Sequence, residues 1–224
     1  MKNLSIAQEY VLCALYPKGT INGLYKVETT VCTVTAALCE LLLNGVIEID
    51  DSKHIVIKKD LEENQFYLSS VFKFIADSEL QTMKKLVESF SWSLKNDKLK
   101  QLINQIVESL VENKSVESSK SKVIFFEKNY YKPIQQIVNG IVERIRAEIL
   151  ENGNMDEDTL ILSVLLKEST LLNAYFSKHE SEVFKKRFEE LENTEVSILT
   201  KELIEDIVSS MAAITAIIAV SGSK

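Results

Sequence analysis

Apolar residues recur at helical spacing along most of this chain, and the first third shows the pattern in its simplest order. The spacing predicts one helix within Leu4–Ile21 and a second that ends at Asn44 and Gly45, because these residues are favoured where a helix ends with positive φ. Val46–Ile57 then alternates between apolar and polar residues around an Asp-Asp-Ser turn. This alternation predicts a short β-hairpin after the second helix.

The middle of the chain predicts further helices and a second hairpin. Over residues 64–113 the apolar spacing indicates three helices, with one junction at Ser78. The polar stretch Lys114–Lys122 predicts a loop, whereas Val123–Pro133, rich in aromatic and β-branched residues, predicts the second arm of a hairpin. Pro133 itself is expected in the first turn of the next helix, where its missing N–H is tolerated.

The last third predicts amphipathic helices and one apolar helix. Helical patterns cover 134–153, Met155–Phe176 and Lys178–Asn193. The run Ile207–Val220 is apolar on every face, but it falls short of the roughly 20 residues that cross a bilayer. We therefore predict a buried helix, with a tail anchor as the alternative. The expected fold is one mainly α domain over 1–224, with an apolar central or C-terminal helix and two small β-hairpins.

Composition and charge narrow the function. A hydrophobic content of 46% with 6 Gly and 2 Pro is typical of a folded, helix-rich protein. The net charge of −7 argues against a general nucleic-acid binder. Lysines outnumber acids over Lys84–Lys132, and acids dominate Glu151–Asp206. Such asymmetry suits a protein with one face towards an anionic surface, although lysine-rich loops that are merely solvated give the same pattern.

No catalytic or metal-binding motif is present in the sequence. The two histidines, His54 and His179, are far apart, and no P-loop, nucleophile elbow or zinc-ligand spacing occurs. The acids at 156–158 are explained by a helix N-terminus, where negative charge is favourable. We therefore expect a non-enzymatic protein without a cofactor or metal. Its cysteines, at 13, 32 and 39, lie in apolar helical patterns and indicate buried thiols in the reducing cytoplasm.

Two stretches are candidate contact surfaces. One is the predicted hairpin, in which aromatic residues stand among lysines, a combination that suits an anionic bilayer or a hydrophobic partner; the residues are Lys122, Phe125, Phe126, Lys128, Tyr130, Tyr131 and Lys132. The alternative is that one face of this strand packs on the core. The other candidate is the loop Lys18–Lys26 with Tyr25, which an ordinary helix connection explains equally well.

The order of these elements resembles the Golgi phosphoprotein three family. Its members carry an L-x-x-x-E-E/Q-x-x-L-L-x-L start and an E-L-x-L-x-G-R/V-I-x-L/I block, which LSIAQEYVLCAL and ELLLNGVIEI resemble here. Later stretches resemble further family blocks, namely DTLILSVLLKESTLLNAYFS, EVFKKRFEEL and MAAITAIIAV. The plain N-terminus lacks the basic extension of eukaryotic members, so we expect a bacterial-type member.

The resemblance implies a peripheral membrane or adaptor protein that binds a phosphatidylinositol 4-phosphate headgroup or another anionic phospholipid. Matching the family's headgroup site onto this chain gives Tyr25, beside Lys26, and Lys100, whereas two cationic positions of the family fall on Val34 and Ile103. The hairpin matches the family's membrane-inserting and self-associating hairpin. The implied location is cytoplasmic and peripherally membrane-associated. The alternative function is a soluble scaffold that forms homo-oligomers through the hairpin without binding lipid.

Overall fold

The chain folds into a mainly helical structure with two small antiparallel hairpins, as the apolar spacing predicts. The computed structural model describes residues 4–16, 21, 24, 26–79, 81–91, 97–123, 126–150, 156–191, 204–205, 207–209 and 212. The helices in this part of the chain are α1 (Ile6–Leu15), α2 (Val27–Leu43), α3 (Ser69–Ala76), α4 (Met83–Ser91), α5 (Asp97–Glu112), α6 (Gln135–Ile145), α7 (Glu157–Glu168), α8 (Leu172–Tyr175) and α9 (Lys178–Leu191).

Helices α1 and α2 form the centre of the fold. Every residue of α1 is buried, because α1 packs against α2, α5, α6 and α7. Two backbone N–H groups in its first turn have side-chain acceptors. Ser5 Oγ accepts a hydrogen bond from Gln8 N at 3.3 Å, and Glu40 Oε2 accepts one from Ala7 N at 3.2 Å. The helix ends at Leu15, well before the limit of the Leu4–Ile21 pattern.

The first hairpin confirms the predicted stop after α2. Gly45 has a φ of +64°, which favours glycine, and the chain then enters β1 (Ile47–Ile49) and β2 (Ile55–Ile57). The strands are antiparallel, with Ile47 opposite Ile57. Asp50 forms the turn, since its Oδ1 accepts backbone hydrogen bonds from Ser52 and His54 at 2.9 and 2.8 Å.

A short 3₁₀ segment, Glu63–Leu68, leads into α3, and the predicted junction at Ser78 separates α3 from α4. Helix α5 then buries one apolar stripe in the core. The stripe consists of Leu99, Leu102, Ile103, Ile106, Val107 and Leu110. The opposite face of α5 is exposed and charged, as expected for an amphipathic helix.

The second hairpin corrects two predictions. The polar stretch predicted as a loop is a strand, β3 (Val116–Val123), which pairs antiparallel with β4 (Phe126–Pro133). Its serines and lysines are poor strand formers, so the strand exists because β4 supplies the partner. Pro133 is the last residue of β4, opposite Val116, and not part of the first turn of α6, which begins at Gln135.

In the last third of the chain, Arg146 joins the end of α6 to α9, and α7 ends in an unusual backbone turn. A π-helical turn, Arg146–Leu150, follows α6, and Arg146 Nε donates to Glu180 Oε1 of α9 at 2.8 Å. Thr170 ends α7 with a φ of 64°, which is unusual for a β-branched side chain. Most of the predicted apolar helix Ile207–Val220 lies outside the described residues, although 207–209 and 212 are helical.

The three cysteines form no disulfide and are buried, as predicted. Burial raises the pKa of the Cys13 and Cys32 thiols, because a thiolate is disfavoured away from water. These side chains are therefore protonated components of the core and not nucleophiles.

Candidate functional site

The β3–β4 hairpin is held to the rest of the fold at its base. Lys114 follows α5 with a φ of 60°, and Ser115 N then donates to Leu110 O at 2.8 Å. On the returning strand, Ile134 N donates to Ser115 O at 2.9 Å. Val116 is buried at this end, where β3 packs against α5 and β4 against α1. The base is therefore a fixed part of the core.

Beyond the base, the hairpin is exposed on both strands. Residues 117–120 of β3 and 129–130 of β4 are all exposed. The register places Ser119 opposite Tyr130 and Ser118 opposite Tyr131. Because neighbouring residues of a strand point to opposite faces, the two predicted contact tyrosines separate. Tyr130 is 36% exposed, whereas Tyr131 is half-buried against the core.

The distal end of the hairpin carries the most apolar part of its sequence. The last described pair is Val123 opposite Phe126, and the pairs next to it are Lys122 with Glu127 and Ser121 with Lys128. Phe125 lies outside the described residues, as do the side chains of 121–128. The backbone thus places Lys122, Phe126 and Lys128 together at the end remote from the core.

The positions that match the family's headgroup site differ in exposure. Tyr25 lies outside the described residues, whereas Lys26 is exposed at the N-cap of α2 and Lys100 is exposed in the first turn of α5. Val34 and Ile103, which fall on the family's two other cationic positions, are completely buried. Their side chains fill the core, so the described part of the predicted site offers isolated lysines and not a converging set of donors.

The loop that precedes α2 begins beside the hairpin base. Tyr16, the C-cap of α1, stacks on Tyr175 with ring centroids 5.7 Å apart, and its hydroxyl accepts a hydrogen bond from Gln135 Nε2. Gln135 is the first residue of α6, two positions after β4 ends. The stretch that contains Tyr25 therefore starts close to the hairpin. Lys100 is remote from the hairpin. The hairpin follows the C-terminal end of α5, and the rise of the helix separates Lys100 from that end by about 18 Å.

Two buried carboxylates elsewhere in the fold are fully engaged. Glu9 binds Arg144 through both carboxylate oxygens, at 2.9 and 2.5 Å. Glu40 caps α1 and accepts a hydrogen bond from the Tyr67 hydroxyl. Burial raises the pKa of both carboxyl groups, and their hydrogen-bond partners oppose that shift. Each carboxylate thus joins segments of the fold that are distant in sequence.

Over the described residues, no group of three or more His, Cys, Asp or Glu side chains is placed to hold a metal ion. Within the same part of the chain, every helix is too short or too polar to cross a bilayer.

Comparison with known proteins identifies the family. No curated protein matches this chain. The family model described as Golgi phosphoprotein 3 (GPP34) matches residues 6–211. That range begins at the first residue of α1 and includes both hairpins and all helices through α9. Since the match covers nearly the whole chain, the chain belongs to the Golgi phosphoprotein 3 (GPP34) family.

Proposed function

We propose that this chain is a non-enzymatic peripheral membrane protein that contacts anionic phospholipid through the β3–β4 hairpin. The observation that carries the proposal is the anchorage of the hairpin at its base, with residues 117–120 and 129–130 exposed and an apolar stretch of sequence at the far end. Four lysines stand on this hairpin, at 120, 122, 128 and 132, against glutamates at 117 and 127. Apolar side chains enter the acyl boundary, and the lysines attract anionic headgroups.

We further propose that the surface responds to charge density and not to one phosphoinositide. Specific phosphate recognition uses several donors that converge, and arginine supplies them best through its two-pronged guanidinium. Here two of the family's cationic positions are the buried Val34 and Ile103. Lys26 and Lys100 then act as point charges, with the Tyr25 ring adding stacking and apolar contact.

Vesicle flotation tests both statements. Neutral vesicles, vesicles with phosphatidylserine or phosphatidylglycerol, and vesicles of equal charge containing phosphatidylinositol 4-phosphate are compared. We expect binding to both anionic types and little binding to neutral ones. Failure to float with any vesicle would refute membrane contact, and binding to the phosphoinositide vesicles alone would refute the charge-density proposal.

Substitutions locate the contact on the hairpin. Phe125→Asp together with Phe126→Asp is expected to abolish flotation, because two charges replace the apolar distal end. Phe66→Asp is the matched control, since Phe66 is 59% exposed and lies far from this end in sequence. Equal loss in the control would show that general destabilisation, not the hairpin, is responsible.

The headgroup residues are tested by charge and by salt. A lysine near an anionic surface contributes about 1 kcal/mol, so Lys100→Glu is expected to weaken binding several-fold, with an effect that fades at high salt. Tyr25→Ala is expected to weaken binding with little salt dependence. Lys185→Glu on the exposed face of α9 is the control. If all three variants bind like wild type, the hairpin is the only membrane contact.

A second candidate function is a soluble scaffold that self-associates through the hairpin. It is favoured by the two-stranded character of this sheet, since no third strand among the described residues pairs with β3 or β4. Open strand edges are templates for pairing with another chain. Sedimentation at increasing concentration tests this function, and a wild type that stays monomeric would exclude it.

A further inference from the structure

One face of the β3–β4 hairpin is exposed along the described part of both strands. Residues directly opposite each other on paired strands share a face of the sheet, and alternate residues of one strand do so as well. The pairs Glu117–Lys132 and Ser119–Tyr130 therefore lie on the same face. All four residues are exposed. We call this the outer face of the hairpin.

The other face, here called the inner face, turns towards the helical body at the base. It carries the pairs Val116–Pro133 and Ser118–Tyr131. Val116 and Pro133 are buried, and Tyr131 packs half-buried against the core. Contact with the body therefore occupies the base of the inner face and leaves the outer face open to a partner.

The open edges of the hairpin restrict how it can meet a bilayer. The sheet has two strands, and among the described residues no third strand covers either edge. Hydrogen bonding alternates along an antiparallel pair, so every second residue of each strand directs its N–H and C=O away from the partner strand. Such groups find no hydrogen-bond partner in hydrocarbon, whereas water reaches them at the level of the lipid headgroups.

The length of the hairpin leads to the same restriction. Each strand has eight residues, which corresponds to about 25 Å, close to the roughly 30 Å thickness of the hydrocarbon core. A hairpin inserted end-on along this length would carry both open edges and its lysines into the hydrocarbon. A hairpin that lies in the plane of the membrane keeps both edges among the headgroups.

We propose that the hairpin lies flat in the headgroup region, with its outer face towards the acyl chains. This inference rests on the membrane function proposed above and assigns the contact to one face. Tyr130 is 36% exposed on that face, and tyrosine favours the boundary between headgroups and acyl chains. Lys132 can extend its ammonium group from the same face to an anionic headgroup. In the register, the same alternate series of pairs ends at Val123 with Phe126.

Fluorescent labels on neighbouring serines test this orientation. Ser119→Cys and Ser118→Cys place one thiol on the outer and on the inner face, and each thiol is labelled with the environment-sensitive dye NBD. The native cysteines are completely buried, so wild type treated with the dye measures background labelling. With vesicles that contain phosphatidylglycerol, the emission of the label at 119 is expected to shift to the blue and to rise about twofold or more. The label at 118 is expected to stay close to its emission in buffer.

Lipids brominated at different depths add a second measurement. The label at 119 is expected to be quenched more strongly by bromine near the headgroup end of the acyl chain than by bromine near its methyl end, and the reverse order would overturn the flat orientation. Unlabelled Tyr130→Ala is expected to weaken flotation several-fold, because it removes the aromatic ring of the outer face. Wild-type flotation of this variant would overturn the assignment of that face.

The remaining outcomes separate the orientation from the membrane function. Equal responses at 118 and 119, or a larger response at 118, would overturn the assignment. Silence at both positions in labelled protein that floats with the vesicles would also overturn it. Position 119 lies about 14 Å before the distal pair, so a hairpin inserted only by its end would keep both labels out of the bilayer. Failure of wild type itself to float would instead refute the membrane function.

Discussion

The ion pair between Glu9 and Arg144 makes a quantitative test of the core. Glu9 lies on α1 and Arg144 on α6, and their side chains are 7% and 29% exposed. Both guanidinium Nη atoms donate to the carboxylate, at 2.9 and 2.5 Å. Arg144→Met would keep most of the packing volume and leave the Glu9 carboxylate buried without its partner.

The expected loss follows from the unequal burial of the pair. Removing one partner of a buried pair costs about 3–5 kcal/mol. Because Arg144 is partly exposed, we expect the loss in the free energy of unfolding to lie near the lower end of that range. Replacing both charges, by Glu9→Leu with Arg144→Met, leaves no buried charge. We therefore expect the double variant to be within about 1 kcal/mol of wild type.

The single variant should also acquire a pH dependence. Burial already raises the pKa of Glu9, and Arg144 opposes this rise. Without Arg144 the pKa of Glu9 rises further, so the folded state binds a proton more readily than the unfolded state. The resulting contribution to stability is present at low pH and is lost as the pH rises through the folded-state pKa. Arg144→Met is therefore expected to recover part of its stability between pH 7 and pH 5.

Urea denaturation at both pH values measures these effects in wild type, the single variant and the double variant. Lys58→Met is the matched control, because Lys58 pairs with Glu48 at 3.1 Å with side chains 52% and 59% exposed. Such an exposed pair contributes roughly 0–1 kcal/mol. The reasoning would be refuted if Arg144→Met cost no more than the control, or if its loss were the same at both pH values.

Three further predictions concern single positions. Thr170 has a φ of 64°, so Thr170→Gly is expected to raise the free energy of unfolding by about 1 kcal/mol in urea, and no gain would show that the turn is unstrained. Gly45→Ala is expected to lower it by about 1 kcal/mol through backbone strain alone, since an added Cβ meets no atom within 4 Å; a neutral result would contradict this. Burial raises the pKa of Glu40, which lowers stability as the pH rises through that pKa, so Glu40→Gln is expected to reduce the gain in Tm between pH 7 and pH 5. An unchanged profile would count against it.

Local signals predicted much of the fold because they are contained in short stretches. Asn44 and Gly45 mark the end of α2 whatever the surrounding structure, and the alternation after them is sufficient to predict β1 and β2. The charged amphipathic spacing similarly predicts helix α9. In each case the locally favoured backbone conformation agrees with the burial pattern, so the tertiary structure keeps the conformation that the local sequence favours.

Strand β3 shows where local signals fail. Its serines and lysines have the composition of a solvated loop, and they form a strand because β4 pairs with them along eight residues. The end of α1 at Leu15 is different, because Pro17 and Gly19 follow its C-cap and are local signals for the end of a helix. The formation of β3 depends on a partner strand, which its own composition does not record.

The candidate surfaces were predictable only in part for the same reason. The hairpin was identified from adjacent aromatic residues and lysines, but the opposite orientations of Tyr130 and Tyr131 depend on the strand register. The surface groove between the 3₁₀ segment and α5, which Glu63, Phe66 and Glu112 line, gave no signal in the sequence, because these residues belong to segments that only the folded chain brings together.

The hairpin base has a consequence for how this protein can be altered. Ile134 N meets Ser115 O at 2.9 Å, so the polypeptide leaves the helical body and re-enters it across one hydrogen bond. The stretch 116–133 thus leaves and re-enters the helical body at one point, and a tight Asn-Gly turn could replace residues 117–132 without redirecting α5 or α6, while Val116 and Pro133 stay buried. The exposed part of the hairpin can therefore be replaced while the helical body is kept. Hairpins from other family members, grafted between residues 115 and 134, would move a surface property from one protein to another while the helical body stayed the same.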